Sequence, residues 1–252
     1  MSNDQQRADA AQTRLAAYYA DPVLRASYVR DLFNRSAQHY DWVNRLFSLG
    51  SGAWYRRTCL RKAGLRPGVR VVDVAVGTGL LAREALTLTG DRQAVIGIDI
   101  SEAMLAIAQK NLGISLIQGA AEALPIAAAV ADFVTMGYAL RHVADLGAAF
   151  REAIRVLRPG GMLVLLEISV PSRRLGRMLA ATYIGGILPL LSLLMTRDHG
   201  ARKLMRYHWK TIAKGMPPDI ITRVMQESGF RDVQCLNEFD LFQFYTGRKA
   251  EG

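Results

Sequence analysis

The stretch Val71-Val72-Asp73-Val74-Ala75-Val76-Gly77-Thr78-Gly79 constrains this chain most: a β-branched run breaks into small residues and then into the helix-forming segment from Leu80 to Leu88. Small residues let the main chain approach a ligand, and the helix start behind them offers N–H groups with no partner of their own. A second apolar run, Ala94-Val95-Ile96-Gly97-Ile98, ends in Asp99. An acid about 20 residues beyond the turn is placed to accept hydrogen bonds from a ribose. The two features together predict a nucleotide-type site at the carboxyl ends of parallel strands. A tight turn without a ligand, followed by a helix N-terminal acid favoured by the macrodipole, is the bland alternative.

Strand and helix patterns alternate from there. Strands are predicted near 70–74, 94–98, 115–118, 132–136 and 162–168, with helices near 80–89, 102–112 and 145–157. Alternation at this spacing implies a parallel, doubly wound sheet. Before it, residues 14–48 look helical, with an interruption near Asp21-Pro22, and Trp54 to Ala63 reads as another short helix. After Pro171 the pattern breaks into a helical insert over roughly 173–214; a helix from Pro217 to Ser228 and strands at 231–236 and 241–247 close the chain. The expected fold is α/β: a Rossmann-like, doubly wound, mostly parallel sheet with a helical N-terminal extension and a helical lid insert. Residues 1–64 form the extension, 65–170 and 216–249 the core, and 171–215 the insert. With 252 residues, 50% of them hydrophobic and 21% charged, the chain can bury a substantial core. Two cysteines, Cys59 and Cys235, stand far apart without a partner motif, which argues against a disulfide scaffold or a metal site and for a reducing, cytoplasmic setting. Met1 to Thr13 is polar, lacks the apolar core of a secretory signal, and is expected to fray.

The glycine spacing is not the dinucleotide pattern G-x-G-x-x-G. The order Asp73, Ala75, Gly77, Gly79 resembles S-adenosylmethionine-dependent methyltransferases of the Rossmann-like class. Three further stretches resemble the C-methyltransferases of ubiquinone and menaquinone biosynthesis: Tyr40-Asp41-Trp42-Val43-Asn44 with Ser48, Ala120-Ala121-Glu122-Ala123-Leu124-Pro125, and Arg155-Val156-Leu157-Arg158-Pro159-Gly160-Gly161 leading to Glu167-Ile168-Ser169. The resemblance runs from about Tyr28 to Ser169 and resumes from Pro217 to Lys249. It implies S-adenosyl-L-methionine as cofactor, with contacts at Thr78, Asp99, Ala120, Ala121 and Gly137, and with Asp73 and Gly77 shaping the methionine end. Ala75 and Gly79 belong to the same turn. Ala120 departs from the pattern, because relatives place Asn or Asp there to meet the adenine.

The loop Gly137-Tyr138-Ala139-Leu140-Arg141-His142 sits where relatives carry L-R-N. A base that removes a phenol proton raises electron density at the ortho carbon. Arg141 is expected to stabilise a phenolate and His142, with a pKa suited to neutral pH, to act as that base. Loop hydrogen bonding is the alternative for both. Tyr40, Asn44, Tyr138, Tyr183 and Tyr207 are expected to bind the acceptor.

Met178 to Met195 is 18 residues without a charge, broken by Gly185-Gly186 and Pro189, with Arg173, Arg174 and Arg177 before it. As a helix it would span about 27 Å, the low edge for a bilayer. An apolar lid over a long hydrophobic substrate, or one resting in the membrane interface, is preferred to core helices and to a true crossing. Arg197, Arg202, Lys203, Arg206, Lys210 and Lys214 then form a basic cluster opposed by Asp198 alone. With the net charge of +10, this fits anionic lipid headgroups, an acidic group on the substrate, or a solvated helix face. Lys210 stands where relatives carry an acid, in E-S-I. Nucleic acid is disfavoured as partner: no N/D-P-P-Y/F motif follows the fourth strand, and neither cysteine lies in a loop that would activate it.

The expected activity is methylation of a hydrophobic aromatic acceptor, first a prenylated quinol. The alternatives are another apolar phenol or an acidic polyketide of secondary metabolism, and a non-catalytic cofactor-binding scaffold in a membrane-associated assembly. Oligomeric state, tail length and carbon against oxygen as acceptor atom stay open on the residues alone.

Overall fold

Val71 to Val74, the run with which the glycine turn begins, forms the first strand of a seven-stranded sheet. The computed structural model describes residues 22–48, 50–190, 209, 211–213 and 215–251. The helical reading for 14–21, the frayed tail, Tyr207, the basic cluster and the last part of the apolar insert lie outside the described residues.

Helix α1 spans Pro22–Phe47 and α2 spans Gly52–Lys62. Then β1 (Val71–Val74), α3 (Leu80–Thr89), β2 (Val95–Asp99), α4 (Glu102–Leu112), β3 (Ser115–Gln118), β4 (Ala131–Gly137), α5 (Leu146–Val156) and β5 (Leu157–Ile168) follow in order. Helix α6 (Arg174–Ala180) runs on into a π-helical turn, Ala181–Ile187. Helix α7 (Pro218–Glu227) and strands β6 (Arg231–Glu238) and β7 (Phe242–Arg248) complete the fold.

The strand order is β3-β2-β1-β4-β5-β7-β6. Strands β1 to β5 pair in parallel, and β7 inserts antiparallel between β5 and β6. Parallel strands covered on both faces need apolar side chains in both directions, which is why they read as continuous apolar runs. In β5, Leu163 and Leu165 enter one core with Phe150, Met225 and Tyr245. Val164 and Leu166 enter the other with Leu60, Leu81 and Phe244. Helices α5 and α7 thus cover one face, and α2 and α3 the other.

The predicted boundary at the fifth strand is moved by the structure. Strand β5 begins at Leu157, paired with Ala131, and the register breaks before Phe133 pairs with Met162. The segment Arg158-Pro159-Gly160-Gly161 is therefore a bulge within the strand rather than a turn before it. Among the described residues, no helix is long and apolar enough to cross a membrane.

β1 pairs with both β2 and β4, so the strand order reverses beside it and a crevice opens at the strand ends. Gly79 caps α3 there with φ of 90°, and a Cβ on it would fall 2.5 Å from Leu112 Cδ1. A left-handed alanine and a forced contact each cost about 1–3 kcal/mol. Gly79→Ala is expected to lower unfolding stability by about 2–4 kcal/mol in chemical denaturation, beyond any effect on ligand binding.

Candidate active site

The turn after β1 is held by side chains that a distant part of the sequence supplies. Asp99, at the end of β2, accepts from the Gly77 N–H and the Ser101 N–H, both at 2.8 Å. A carboxylate has about four acceptor positions, so room remains for a ribose hydroxyl. Asp99 is buried, and burial pushes its carboxyl above the usual range while the Ser101 and Gly77 amides pull it back. Ala75, with φ of 54°, and Tyr138, with φ of 61°, are strained residues just beyond β1 and β4. Such strain concentrates at functional sites.

These elements enclose an open-mouthed cavity of about 860 Å³ lined by Ala75, Gly77, Asp99, Ala120, Ala121, Gly137 and Tyr138. A smaller cavity of about 340 Å³ lies against Asp73, Ala75, Gly77, Thr78 and Gly137. All the expected cofactor residues except Gly79 line one or both. Gly79 lines neither, because it is turned toward Leu112.

Helix α1 closes over this site. Thr78 Oγ1 donates to the Asp41 carboxylate, and Asn34 Oδ1 accepts from Ser101 Oγ at 2.6 Å. Phe33, from the same helix, lines the larger cavity and meets the His142 ring edge-on at 5.2 Å between centroids.

A third cavity, of about 750 Å³, is walled by aromatic residues from separate parts of the chain: Tyr40, Trp54, Tyr55, Tyr138, Phe239 and Phe242. Tyr40 and Tyr138 line this cavity and both others. Burial raises the pKa of both phenols, against the pull of neighbouring arginines, and keeps them neutral. Asn44 also lines it. Arg141 lines it too, its guanidinium fixed by Nη1 donating to Glu167 Oε1 at 2.6 Å and to the Tyr138 carbonyl at 2.5 Å.

The structure separates the expected catalytic pair. Arg141 lines the aromatic cavity, whereas His142 lines the larger one beside Ala139 and Val143. Tyr183, on the π-helical turn, lines none of the three. The reading of residues did not single out Phe33, Trp54, Arg56, Phe239 or Phe242. Arg56 reads in sequence as one of several helix arginines, and no local pattern separates it from Arg57 or Arg61.

Whether a sulfonium nucleoside fits can be judged from groups the protein leaves unsatisfied. Asp73 is buried, with Oδ1 accepting from Thr135 Oγ1 at 2.6 Å and Oδ2 making no hydrogen bond. The Ala82 amide lies on the same side and lowers the pKa of the carboxylate. Gly77 faces open space within 4 Å of where its Cβ would stand. A lone buried carboxylate, a bare main-chain wall and an acid with spare acceptor positions suit an amino-acid end joined to a ribose.

Fold and site together define a class I S-adenosylmethionine-dependent methyltransferase. Residues 22–239 match the model of the ubiE/COQ5 methyltransferase family, and the chain belongs to that family. The ubiquinone/menaquinone biosynthesis C-methyltransferase of Shewanella frigidimarina is 34% identical over 225 residues, covering 86% of this chain and 88% of its own. That of Shewanella sp. strain W3-18-1 is 33% identical over 223 residues, with the same coverage. Among solved structures, an S-adenosylmethionine-dependent methyltransferase from Thermotoga maritima superposes with a TM-score of 0.61 at 22% identity, covering 87% of this chain and 99% of its own. Phosphoethanolamine N-methyltransferase 2 of Haemonchus contortus, solved with S-adenosylhomocysteine, gives 0.63 at 16%, covering 88% of this chain and 60% of its own. At these identities the structures speak for the fold alone.

Burial pushes the Asp73 carboxyl up to about 7, with Thr135 and Ala82 pulling the other way. In the unfolded chain it ionises near about 3.9, so between these values the folded state holds the extra proton. Stability therefore falls as pH rises from about 4 to about 7 and then levels. Asp73→Asn is expected to flatten that slope in thermal unfolding between pH 5 and 8. Above pH 7 its midpoint should exceed the parent's, by about 2–4 °C per kcal/mol recovered at this chain length.

Proposed function

We propose that this enzyme methylates a ring carbon of a hydrophobic quinol in ubiquinone or menaquinone biosynthesis, the role its relatives' names give to them. The shared wall of Tyr40 and Tyr138 carries the reading. It sets an aromatic cavity directly against the cavities of the cofactor site. When bound, S-adenosylmethionine supplies a methyl carbon open to in-line attack. Tyr40 and Tyr138, neutral and buried, hold the acceptor ring at that opening and exclude water. Arg141 cannot act as a base, but its fixed positive charge favours the anion of a ring hydroxyl. The hydroxyl then loses its proton to water at the cavity mouth and enriches the ortho carbon.

The mouth favours an apolar substituent. Trp54 and Phe239 line the aromatic cavity while 65% and 81% exposed, which suits a tail leaving between them. Leu175, Met178 and Leu179 are exposed on α6, close in sequence to the exposed Arg173, Arg174 and Arg177. Apolar side chains beside cations suit an anionic membrane surface, and we read the protein as a cytoplasmic enzyme working there. In this reading the described residues of the 1–64 extension cap the core formed by 65–170 and 216–249, and those of the 171–215 insert cover the acceptor.

Incubation with methyl-labelled S-adenosylmethionine and a membrane lipid extract tests the acceptor. The expected product is a prenylated quinol labelled on a ring carbon. Label on a ring oxygen, or in RNA or protein alone, would overturn the reading. His142 belongs to the donor side by its position. His142→Ala is therefore expected to raise the donor's KM about tenfold with little change in kcat, in steady-state kinetics. A tenfold fall in kcat with unchanged donor affinity would instead restore His142 as the base.

A further inference from the structure

Arg56 carries a charge that the fold itself does not use. It projects from α2, is 7% exposed, and donates from Nη2 to the neutral Asn44 Oδ1 at 3.1 Å. Its guanidinium carbon lies 5.3 Å from the centroid of the Tyr138 ring. Among the described residues, no carboxylate forms an ion pair with it, whereas Arg57 has Glu84 at 2.7 Å and Arg141 has Glu167 at 2.6 Å. A buried cation without a counter-ion is costly, and a helix interior gains nothing from one. The position is crowded as well: a Cβ on Gly52 would fall 2.8 Å from Arg56 Nη1, so the main chain of α2 lies close along the guanidinium.

Asp73 presents the opposite case at the end of the sheet, a buried carboxylate whose Oδ2 makes no hydrogen bond. The two residues line the same cavity of about 340 Å³, together with Gly77, Thr78 and Tyr138. The two feel each other across the cavity but form no ion pair, so a neutral or singly charged ligand would leave at least one of them without a direct partner. A zwitterion satisfies both.

We propose that Arg56 receives the α-carboxylate of the donor's amino-acid end while Asp73 receives its ammonium, so that α2 supplies the cation that seats the donor. The assignment rests on S-adenosylmethionine binding at this site. Arg56 also lines the aromatic cavity, but a cation is already fixed there by Arg141, and Asp73 lines only the smaller one. The charge-bearing pair therefore belongs to the donor, and the cation–π contact with Tyr138 links its seating to the acceptor wall.

Calorimetry with three ligands tests this: S-adenosylmethionine, its decarboxylated analogue, and 5′-methylthioadenosine, which lacks the whole amino-acid end. The parent is expected to prefer S-adenosylmethionine to the decarboxylated analogue by at least about tenfold. Arg56→Met should abolish that preference, weakening S-adenosylmethionine about tenfold while leaving 5′-methylthioadenosine unchanged. Arg56→Lys should recover part of it. A parent that binds the first two ligands equally well overturns the proposal without any variant. So does an Arg56→Met protein that weakens all three alike, or one that keeps donor affinity and raises only the acceptor's KM. If the parent takes up none of the adenosyl ligands, the donor reading itself fails, and the assignment with it.

Discussion

The Asp99 carboxylate ties together two pieces of main chain at the mouth of the site. It accepts from the turn after β1 and from the first residues after β2, two strands that are neighbours only because the sheet pairs them. Turned outward, these amides would need water; held inward, they shape the wall of the nucleoside cavity. Ser101, bound at its amide by this acid, in turn caps α4 through Met104 N and donates from its hydroxyl to Asn34 of α1. Sheet, turn, helix start and closing helix thus meet around one buried anion.

The same economy appears at the far side of β1. Asp73 bonds Thr135 across the β1–β4 pair, fixing the seam where the strand order reverses, and leaves one oxygen over. Burial weakens it as an acid, against the pull of its Thr135 hydrogen bond. Arg141 is anchored differently. Glu167 and the strained Tyr138 carbonyl hold its guanidinium still, so its charge is directional and its side-chain entropy is already lost before an acceptor arrives.

What could be read from the residues follows from where each signal resides. Strands buried on both faces announce themselves as apolar runs, so β1, β2 and β4 fall where Val71, Val95 and Phe133 suggest. The donor half of the site is local: a turn and an acid encode it, and Ala75, Gly77 and Asp99 can be named from spacing alone. The aromatic cavity draws Tyr40 from α1, Trp54 and Arg56 from α2, and Phe239 and Phe242 from around the last turn. No short pattern spans such distances. The bulge in β5 was hidden for another reason, since Pro159-Gly160-Gly161 has the composition of a turn and pairing across a strand depends on the partner, not the segment. Residues 191–208, which hold Tyr207 and most of the basic cluster, are outside the described structure, and their roles rest on composition.

Strand β7 enters the sheet between β5 and β6, pairing Met162 with Arg248 and Ile168 with Phe242. Until β7 docks, β5 has its inner neighbour β4 but an open outer edge, and that edge is the apolar run Leu163 to Leu166. Exposed edges of this kind recruit strands from other molecules. That edge is covered only when Phe242 to Arg248 pair with it, and Phe242, a wall of the aromatic cavity, arrives with the same strand. Docking of β7 thus covers the β5 edge and completes the aromatic wall in one event.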